Sequence, residues 1–380
     1  MTIHASPLLG LPGAVPAPAS SVDVTVAWHH GDPLAEQRAA ARGCVVVDRS
    51  HRDVLVVPGA DRLGWLHSLI TQHVTALTDG EATEALVLDA NGRVERHMLL
   101  AELGGQVWLD TEPGQGGPLL AYLEKMRFWS AVEPAAAEYG VLSLLGPATA
   151  EVLIAAGLPA PEAGHAAALE PGQAADGGLV RHTRWRMGSN NLGSNNLGSN
   201  NLETAELLVP RAALAAWWSR LTSAGARPAG TLAYEALRVE ALRPRLGLDT
   251  DERTIPHEVG WIGDAVHLDK GCYRGQETVA RVTNLGRPPR RMVLLHLDGS
   301  CDAQPSTGDE VQLDGRPAGR VGTVVQHHEL GPVALALLKR SVPVEAALTA
   351  GGCAAAVDPD SVPPDAGEQA GRAALRRLGR

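Results

Sequence analysis

The chain changes its apolar period several times, and each change marks an element. Asp53–Gly59 (DVLVVPG) reads as a strand, and the segment after it places Leu63, Leu66 and Ile70 on one helical face. Apolar-patterned runs follow at Glu84–Asp89, Arg93–Glu102 and Gln106–Asp110, separated by Asn91-Gly92 and Gly104-Gly105. Asn-Gly between such runs is the strongest short hairpin signal, because both central residues of a type I′ turn need a positive φ. The three runs predict an antiparallel meander, which argues against a doubly wound nucleotide fold whose strands would be separated by helices. Leu119, Leu120, Leu123 and Met126 then mark an amphipathic helix over Gly117–Trp129.

A second unit opens with a strand at Tyr139–Gly146, passes into a helix at Ala148–Gly157, and repeats that order with Glu206–Pro210 and Arg211–Leu221. This rhythm suits a small α+β domain. A third helix is predicted over Thr231–Leu242, with Thr231 as its N-cap and Pro244 as its stop. After Arg290, short strands with an Asp314-Gly315 turn suggest a β-barrel or sandwich.

These elements divide the chain into a flexible N-terminal tail over residues 1–25, an N-terminal α+β domain over 26–138 and a second α+β domain over 139–230. A segment over 231–290 is expected to pack back on the first domain, followed by a C-terminal β-barrel over 291–352 and a flexible tail over 353–380. Both tails lack apolar periodicity. Within the second domain, residues 188–202 read GSNNL three times over and are expected to form a loop.

Composition narrows the function. With 380 residues, 44% hydrophobic, the chain can bury two or three cores. The formal charge of −10 makes direct nucleic acid binding an unexpected role, since phosphate contacts need clustered Lys and Arg. No apolar run approaches the roughly 20 residues that a bilayer requires, so no membrane association, a cytoplasmic location and a monomer are the expectations. Cys44, Cys272, Cys301 and Cys353 form no C-x-x-C pair and, at this density, no disulfide scaffold.

Candidate chemistry gathers at Lys270–Glu277 (KGCYRGQE), preceded by Ile255-Pro-His-Glu258. Cations at Lys270, Arg274 and Arg281 favour a thiolate at Cys272, and Gly271 and Gly275 suit a loop of close backbone approach. A reactive or ligating cysteine stands against a buried, inert one. Glu240, beside Arg238, could accept paired hydrogen bonds from an amidine-like ring edge, or merely bridge to Arg243 at i,i+3. His29-His30 and His327-His328 lack spaced partners, and adjacent residues on a strand point to opposite faces. There is no G-x-S-x-G elbow and no phosphate loop.

The KGCYRGQE motif resembles the signature of the YgfZ family, folate-binding relatives of the glycine-cleavage T-protein. The likeness runs over roughly residues 45–345, through Val54–Val74, Arg238–Glu258 and the barrel strands. It implies an α+β fold of three domains in a ring, two α+β domains and a C-terminal β-barrel, around a tetrahydrofolate pocket. In T-protein relatives the glutamate of a Leu-Arg-x-Glu-Ala segment holds the pterin, which here is Glu240. The implied site adds Arg238, Lys270, Tyr273, Arg274, Gln276 and Glu277 to Glu240, with Cys272 as the chemical group. The implied role is assembly or repair of iron–sulfur proteins, including tRNA-thiolating enzymes, with those clients or their assembly machinery as partners. T-proteins carry an Asp-Asp pair after the first hairpin turn, and here the pair reads Glu95-Arg96. That departure predicts no aminomethyltransferase activity; the alternative is a folate-dependent one-carbon or aminomethyl transferase with Glu95 as its acid/base group.

Overall fold

The meander forms, but its Asn91-Gly92 turn is not a two-residue type I′ turn: Leu88 pairs with Val94, the Asp89 N–H donates to the Arg93 carbonyl, and of Asn91 and Gly92 only Gly92 has a positive φ, +79. The computed structural model describes residues 5–169, 177–186, 201–285 and 287–363. Ala82–Leu88, Val94–Leu103 and Gln106–Thr111 pair antiparallel in that order, and Asp53–Pro58 and Ala135–Ala137 complete a five-stranded sheet. Asp89 fixes the Asn91-Gly92 turn by accepting the backbone N–H of Asn91 and of Arg93, both at 2.8 Å. Helices Arg62–Leu69 and Gly116–Lys125 bury Leu66, Leu69, Leu119 and Leu123 in one cluster with Leu55, Val57, Met98 and Leu100. Each such side chain contributes about 1.5–3 kcal/mol relative to exposure.

The second sheet has six strands in the order His165–Ala168, Leu179–Arg186, Asn201–Pro210, Tyr139–Leu145, Val45–Asp48 and Arg227–Ala229. Val45–Asp48, which lies within the span expected for the first domain, belongs here instead, paired with Tyr139–Leu145. Of the GSNNL repeat, residues 188–200 lie outside the described residues. Asn201 and Leu202 are already strand, and Leu202 is buried in the core that holds Tyr234.

Residues 5–25 form no flexible tail. Leu8 is 1% exposed, in the cluster of Val46, Leu142 and Trp218, Val15–Pro16 pairs with Ala27–His29, and Asp23 is buried. The segment is anchored by isolated residues, which leave no period to read.

Helix Thr231–Glu240 starts one residue earlier than its capping pattern suggests. Its N-cap is Gly230, where a Cβ would lie 2.3 Å from the Trp28 carbonyl, so only glycine fits. Beyond it, Arg290–Leu297, Glu310–Leu313, Arg316–His327, Gly331–Lys339, Leu348–Ala350 and Cys353–Val357 form a closed barrel. The last strand, expected to be tail, closes it by pairing with both Leu348–Ala350 and Arg290–Leu297. Barrel closure also brings Cys301 and Cys353 together as a disulfide across 52 residues, a pairing the spacing does not show. Residues 364–380 of that expected tail lie outside the described residues. No helix among the described residues is long and apolar enough to cross a membrane.

A buried chain of charges joins all three units. Arg181 of the second sheet pairs both with Glu206 of its own sheet and with Asp110 of the first, Arg52 joins Asp110 to Glu112, and Arg245 joins Glu112 to Asp23 and Glu235. Arg238 then links Glu235 to Asp249 and to Thr323 of the barrel.

Candidate functional site

The signature loop is pinned at both ends. Lys270 is buried, and its ammonium donates to the carbonyls of His67 and Ile70, the latter at 2.5 Å. These are orphan acceptors at the C-terminal end of helix Arg62–Leu69, where a cation is favoured. Burial pushes the ammonium down to about 8, and it lies 5.0 Å from the Tyr273 ring centre. At the other end Gly275 has φ +84 and rests on the hairpin turn; a Cβ there would be 2.5 Å from the Asp89 carbonyl oxygen and 2.9 Å from Gly92 Cα. Gln276 Nε2 donates to the Lys270 carbonyl at 3.2 Å and closes the loop. Tyr273 turns inward, into the cluster of Leu86, Leu88 and Val94 with Val239 and Leu242, and burial pushes its hydroxyl up to about 12.

Cys272 lies between these anchors, exposed and unpaired. Cys44, the other free cysteine, is buried, and that burial pushes its thiol up to about 11. The inert-core reading therefore belongs to Cys44. His67, His73 and His267 gather beside the loop, with ring centres 4.8 and 5.3 Å apart. Burial, then the Lys270 charge and the two other imidazoles, hold His67 below the usual histidine range. These histidines carry no sequence signal, since two of them lie almost 200 residues from the third. Among the described residues no group of three or more His, Cys, Asp or Glu side chains could hold a metal ion.

Arg274 points outward and pairs with Glu95 at 3.1 Å, both side chains well exposed. Such a pair adds little stability; its consequence is that one Glu95 oxygen is engaged. Glu277 is exposed in the first turn of Gln276–Leu285, where a carboxylate suits the helix dipole.

Glu240 lies away from this loop, at the seam with the barrel, and its Oε2 is 3.1 Å from His327 Nε2. Its side chain is 33% exposed, and Oε1 has no hydrogen-bond partner among the described residues. The i,i+3 bridge is not formed, because Arg243 pairs with Glu84 and lies near Asp264. An unoccupied carboxylate oxygen beside a partly open seam fits the N–H edge of a pterin. Arg238 does not: its donors go to Glu235, Asp249, Thr323 and the Arg243 carbonyl, all within the buried network. Nor is the Lys270 ammonium directed at a ligand. His327 and His328, expected on opposite faces, have ring centres 4.6 Å apart because the strand ends at His327. The expected residues thus fall into a signature loop, a Glu240 seam and the Arg238 network, with Tyr273 and Val239 sharing the core between the first two.

His257 ties the Ile255–Glu258 turn to helix Gln276–Leu285 through Thr283 Oγ1 at 2.9 Å, and burial pushes its imidazole down to about 4. The folded protein therefore resists a proton that the unfolded chain accepts near its ordinary pKa. Stability is expected to fall as pH drops below about 6.5, with His257 accounting for about 2–3 kcal/mol of the loss by pH 4. Denaturant titrations of wild type and His257→Asn at pH 7 and pH 4 test this, and equal acid losses in the two would refute it.

The GCVT N-terminal domain family matches residues 23–160, and the CAF17 C-terminal beta-barrel domain family matches residues 290–364. The chain is 25% identical over 282 residues to an Arabidopsis thaliana protein named as a candidate chloroplastic transferase, which covers 73% of this chain and 61% of that protein. It is 28% identical to an aminomethyltransferase of Nitrosococcus oceani, over 61% of each chain. It is 29% identical to an aminomethyltransferase of Geobacillus kaustophilus, over 81% of this chain and 82% of that one. The chain thus spans 61% of the length of the first two of these relatives. The crystal structure of glycine cleavage system aminomethyltransferase T from Bartonella henselae superposes with a TM-score of 0.78 at 18% identity, covering 95% of this chain and 98% of that one. The chain therefore joins a GCVT N-terminal domain to a CAF17 C-terminal beta-barrel domain on the glycine-cleavage T-protein fold.

Proposed function

We propose that the protein is a tetrahydrofolate-binding factor of the CAF17/YgfZ type that supports assembly or repair of iron–sulfur proteins, and through them tRNA thiolation, with Cys272 as its working thiol. The observation that carries this reading is the exposed Cys272 on a loop anchored by Lys270 at one end and Gly275 at the other. A thiolate is the form that ligates iron or exchanges with disulfides and persulfides, and a fixed, solvent-facing thiol presents it to a partner. One cysteine holds no cluster alone, since clusters usually take about four protein ligands, so the cluster is the client's cargo. Tetrahydrofolate, when bound, supplies a pterin-borne one-carbon carrier; Glu240 would hold its ring edge through the unpartnered oxygen.

Aminomethyl transfer is the second reading, favoured by the names of the relatives. Against it, Glu95-Arg96 replaces the acidic pair, and Glu95 Oε2 is engaged by Arg274. A general acid or base needs its proton-bearing atom within hydrogen-bond reach of the substrate, which this pair obstructs. Formation of methylene-tetrahydrofolate from an aminomethylated lipoyl carrier would overturn our exclusion of that activity.

The deciding measurement is iron–sulfur enzyme activity under oxidative stress, in a host lacking its own family member, restored by wild type and by Cys272→Ala. Wild type is expected to restore it and Cys272→Ala to lose at least about tenfold, equivalent to 1.4 kcal/mol or more. Equal restoration would remove the thiol from the function.

A further inference from the structure

Glu240 ends helix Thr231–Glu240, where a carboxylate opposes the helix dipole, and its side chain is 33% exposed. Left free, such a side chain samples several rotamers. The partner of its Oε2, His327, is the reverse: its side chain is 1% exposed and held from several directions. His327 Nδ1 accepts the backbone N–H of Glu329 at 3.2 Å and of Leu330 at 3.1 Å, in the turn between strands Arg316–His327 and Gly331–Lys339. A ring nitrogen that accepts N–H bonds carries no proton, so the neutral imidazole is protonated at Nε2. Nε2 then donates to Glu240 Oε2 at 3.1 Å. The turn fixes the tautomer, and the tautomer fixes the direction of the bond to the carboxylate.

The ring has no room to follow a mobile carboxylate. Gln37, buried on helix Pro33–Arg42, accepts the His328 N–H at 2.8 Å and donates to the Gln326 carbonyl at 3.0 Å, so it grips the residues on both sides of His327. Earlier in the same strand Thr323 is held by Arg238 through Oγ1 and by Asp249 through its backbone N–H. A rigid donor thus stands against an otherwise mobile acceptor, and it occupies one carboxylate oxygen while leaving the other open.

We propose, on the reading of Glu240 as the pterin ligand given above, that His327 is the positioning residue of the folate site. With no exposed surface to offer a ligand, it acts through Glu240, holding Oε2 so that Oε1 meets the N–H donors of the pterin ring. An ionised carboxylate only accepts, so the ligand must bring the donors. The buried turn of the barrel thereby sets the affinity of a site whose ligating atom lies on a helix of another unit.

Calorimetric titration of the full chain with 5-formyltetrahydrofolate tests this, because asparagine and glutamine divide the two functions of the ring. The Asn amide reaches about as far as Nδ1 and can serve the turn; the Gln amide reaches about as far as Nε2 and can serve Glu240. His327→Asn is expected to raise Kd at least about tenfold, the loss of one hydrogen bond to a charged group, with the melting temperature within about 2 °C of wild type. His327→Gln is expected to keep Kd within about threefold and to melt lower. A purely structural role would make Kd follow the melting temperature in both variants, and that result overturns the proposal. So does an unchanged Kd in His327→Asn, or a long-range ¹H–¹⁵N spectrum of the ligand-free protein that shows His327 protonated at Nδ1 alone. Binding lost in Glu240→Ala but kept in His327→Asn removes the positioning residue and leaves the pterin ligand. No binding by wild type, or binding indifferent to Glu240→Ala, removes both.

Discussion

Arg245→Met is expected to lower the melting temperature by about 10 °C at pH 7, from a loss of about 3–5 kcal/mol at roughly 2–4 °C per kcal/mol. Arg245 donates to Glu112 at 2.5 Å, to Asp23 at 2.6 and 3.0 Å and to Glu235 at 3.1 Å, all buried. Burial, the largest single influence, would raise the Asp23 and Glu112 pKa values; the Arg245 charge and hydrogen bonds, together with His51 at Asp23 and with Arg52 and Arg49 at Glu112, outweigh it and hold both well below the usual carboxylate range. Methionine keeps much of the side-chain volume and removes every donor, leaving three carboxylates in the interior around one lost cation. A buried ion pair need not stabilise, but breaking one is costly because the remaining charge has nowhere to go. The pH dependence identifies this cause. In wild type the depressed carboxylates contribute stability above the unfolded pKa near 4, and that contribution is lost as pH falls below it. In the variant the same carboxylates take up protons more readily, so the deficit is expected to be largest at pH 7–8 and to shrink towards pH 4. Glu112→Gln added to the variant is expected to recover part of the loss. A variant melting within about 2 °C of wild type at pH 7 would show that the network does not hold the units together.

What the sequence discloses of this molecule follows the reach of each interaction. The hairpin at Asn91-Gly92 and the turn at Asp314-Gly315 are legible because the backbone conformation and the residues that permit it are neighbours. The barrel strands announce themselves by alternation, but their closure by Cys353–Val357, a segment rich in alanine, does not. Val45–Asp48 forms a strand whose place is decided by Tyr139–Leu145, almost a hundred residues away. The same limit applies to the site. KGCYRGQE is visible as a motif, and Cys272 within it emerges exposed between two anchors. The motif cannot disclose that Lys270 caps a helix two hundred residues earlier, or that the Arg238 donors are saturated by Glu235, Asp249, Thr323 and the Arg243 carbonyl. A charged residue next to a candidate ligand in sequence is as readily a strut as a ligand, and only its partners decide.

Gly275→Ala is expected to abolish the Cys272-dependent restoration while leaving the thiol in place. Two penalties add. At φ +84 an L-residue is strained by about 1–2 kcal/mol, and the new methyl would sit 2.5 Å from the Asp89 carbonyl oxygen and 2.9 Å from Gly92 Cα. Both obstacles are backbone atoms of a turn that Asp89 already fixes, so the loop must give way, for a total of about 2–4 kcal/mol. The contact is tight from the hairpin side as well: a Cβ on Gly92 would lie 2.7 Å from the Thr278 Cβ and 3.2 Å from the Gly275 carbonyl oxygen. With Lys270 still anchored and the second support gone, Cys272 hangs from one end of its loop, and a positioned group tolerates only about 0.5 Å of displacement. Gly271→Ala is the matched control: its φ lies outside the left-handed region and the nearest atom to its Cβ is His67 Nε2 at 3.7 Å, an ordinary contact. Restoration by Gly271→Ala is expected to stay within about twofold of wild type, and Gly92→Ala to share the defect of Gly275→Ala from the opposite side of the contact. Labelling of Cys272 by a thiol reagent separates displacement from global unfolding, since Gly275→Ala is expected to react faster at Cys272 while Cys44 remains protected in its core. Wild-type restoration by Gly275→Ala would mean that the hairpin does not position the thiol, and that Lys270 alone holds the loop.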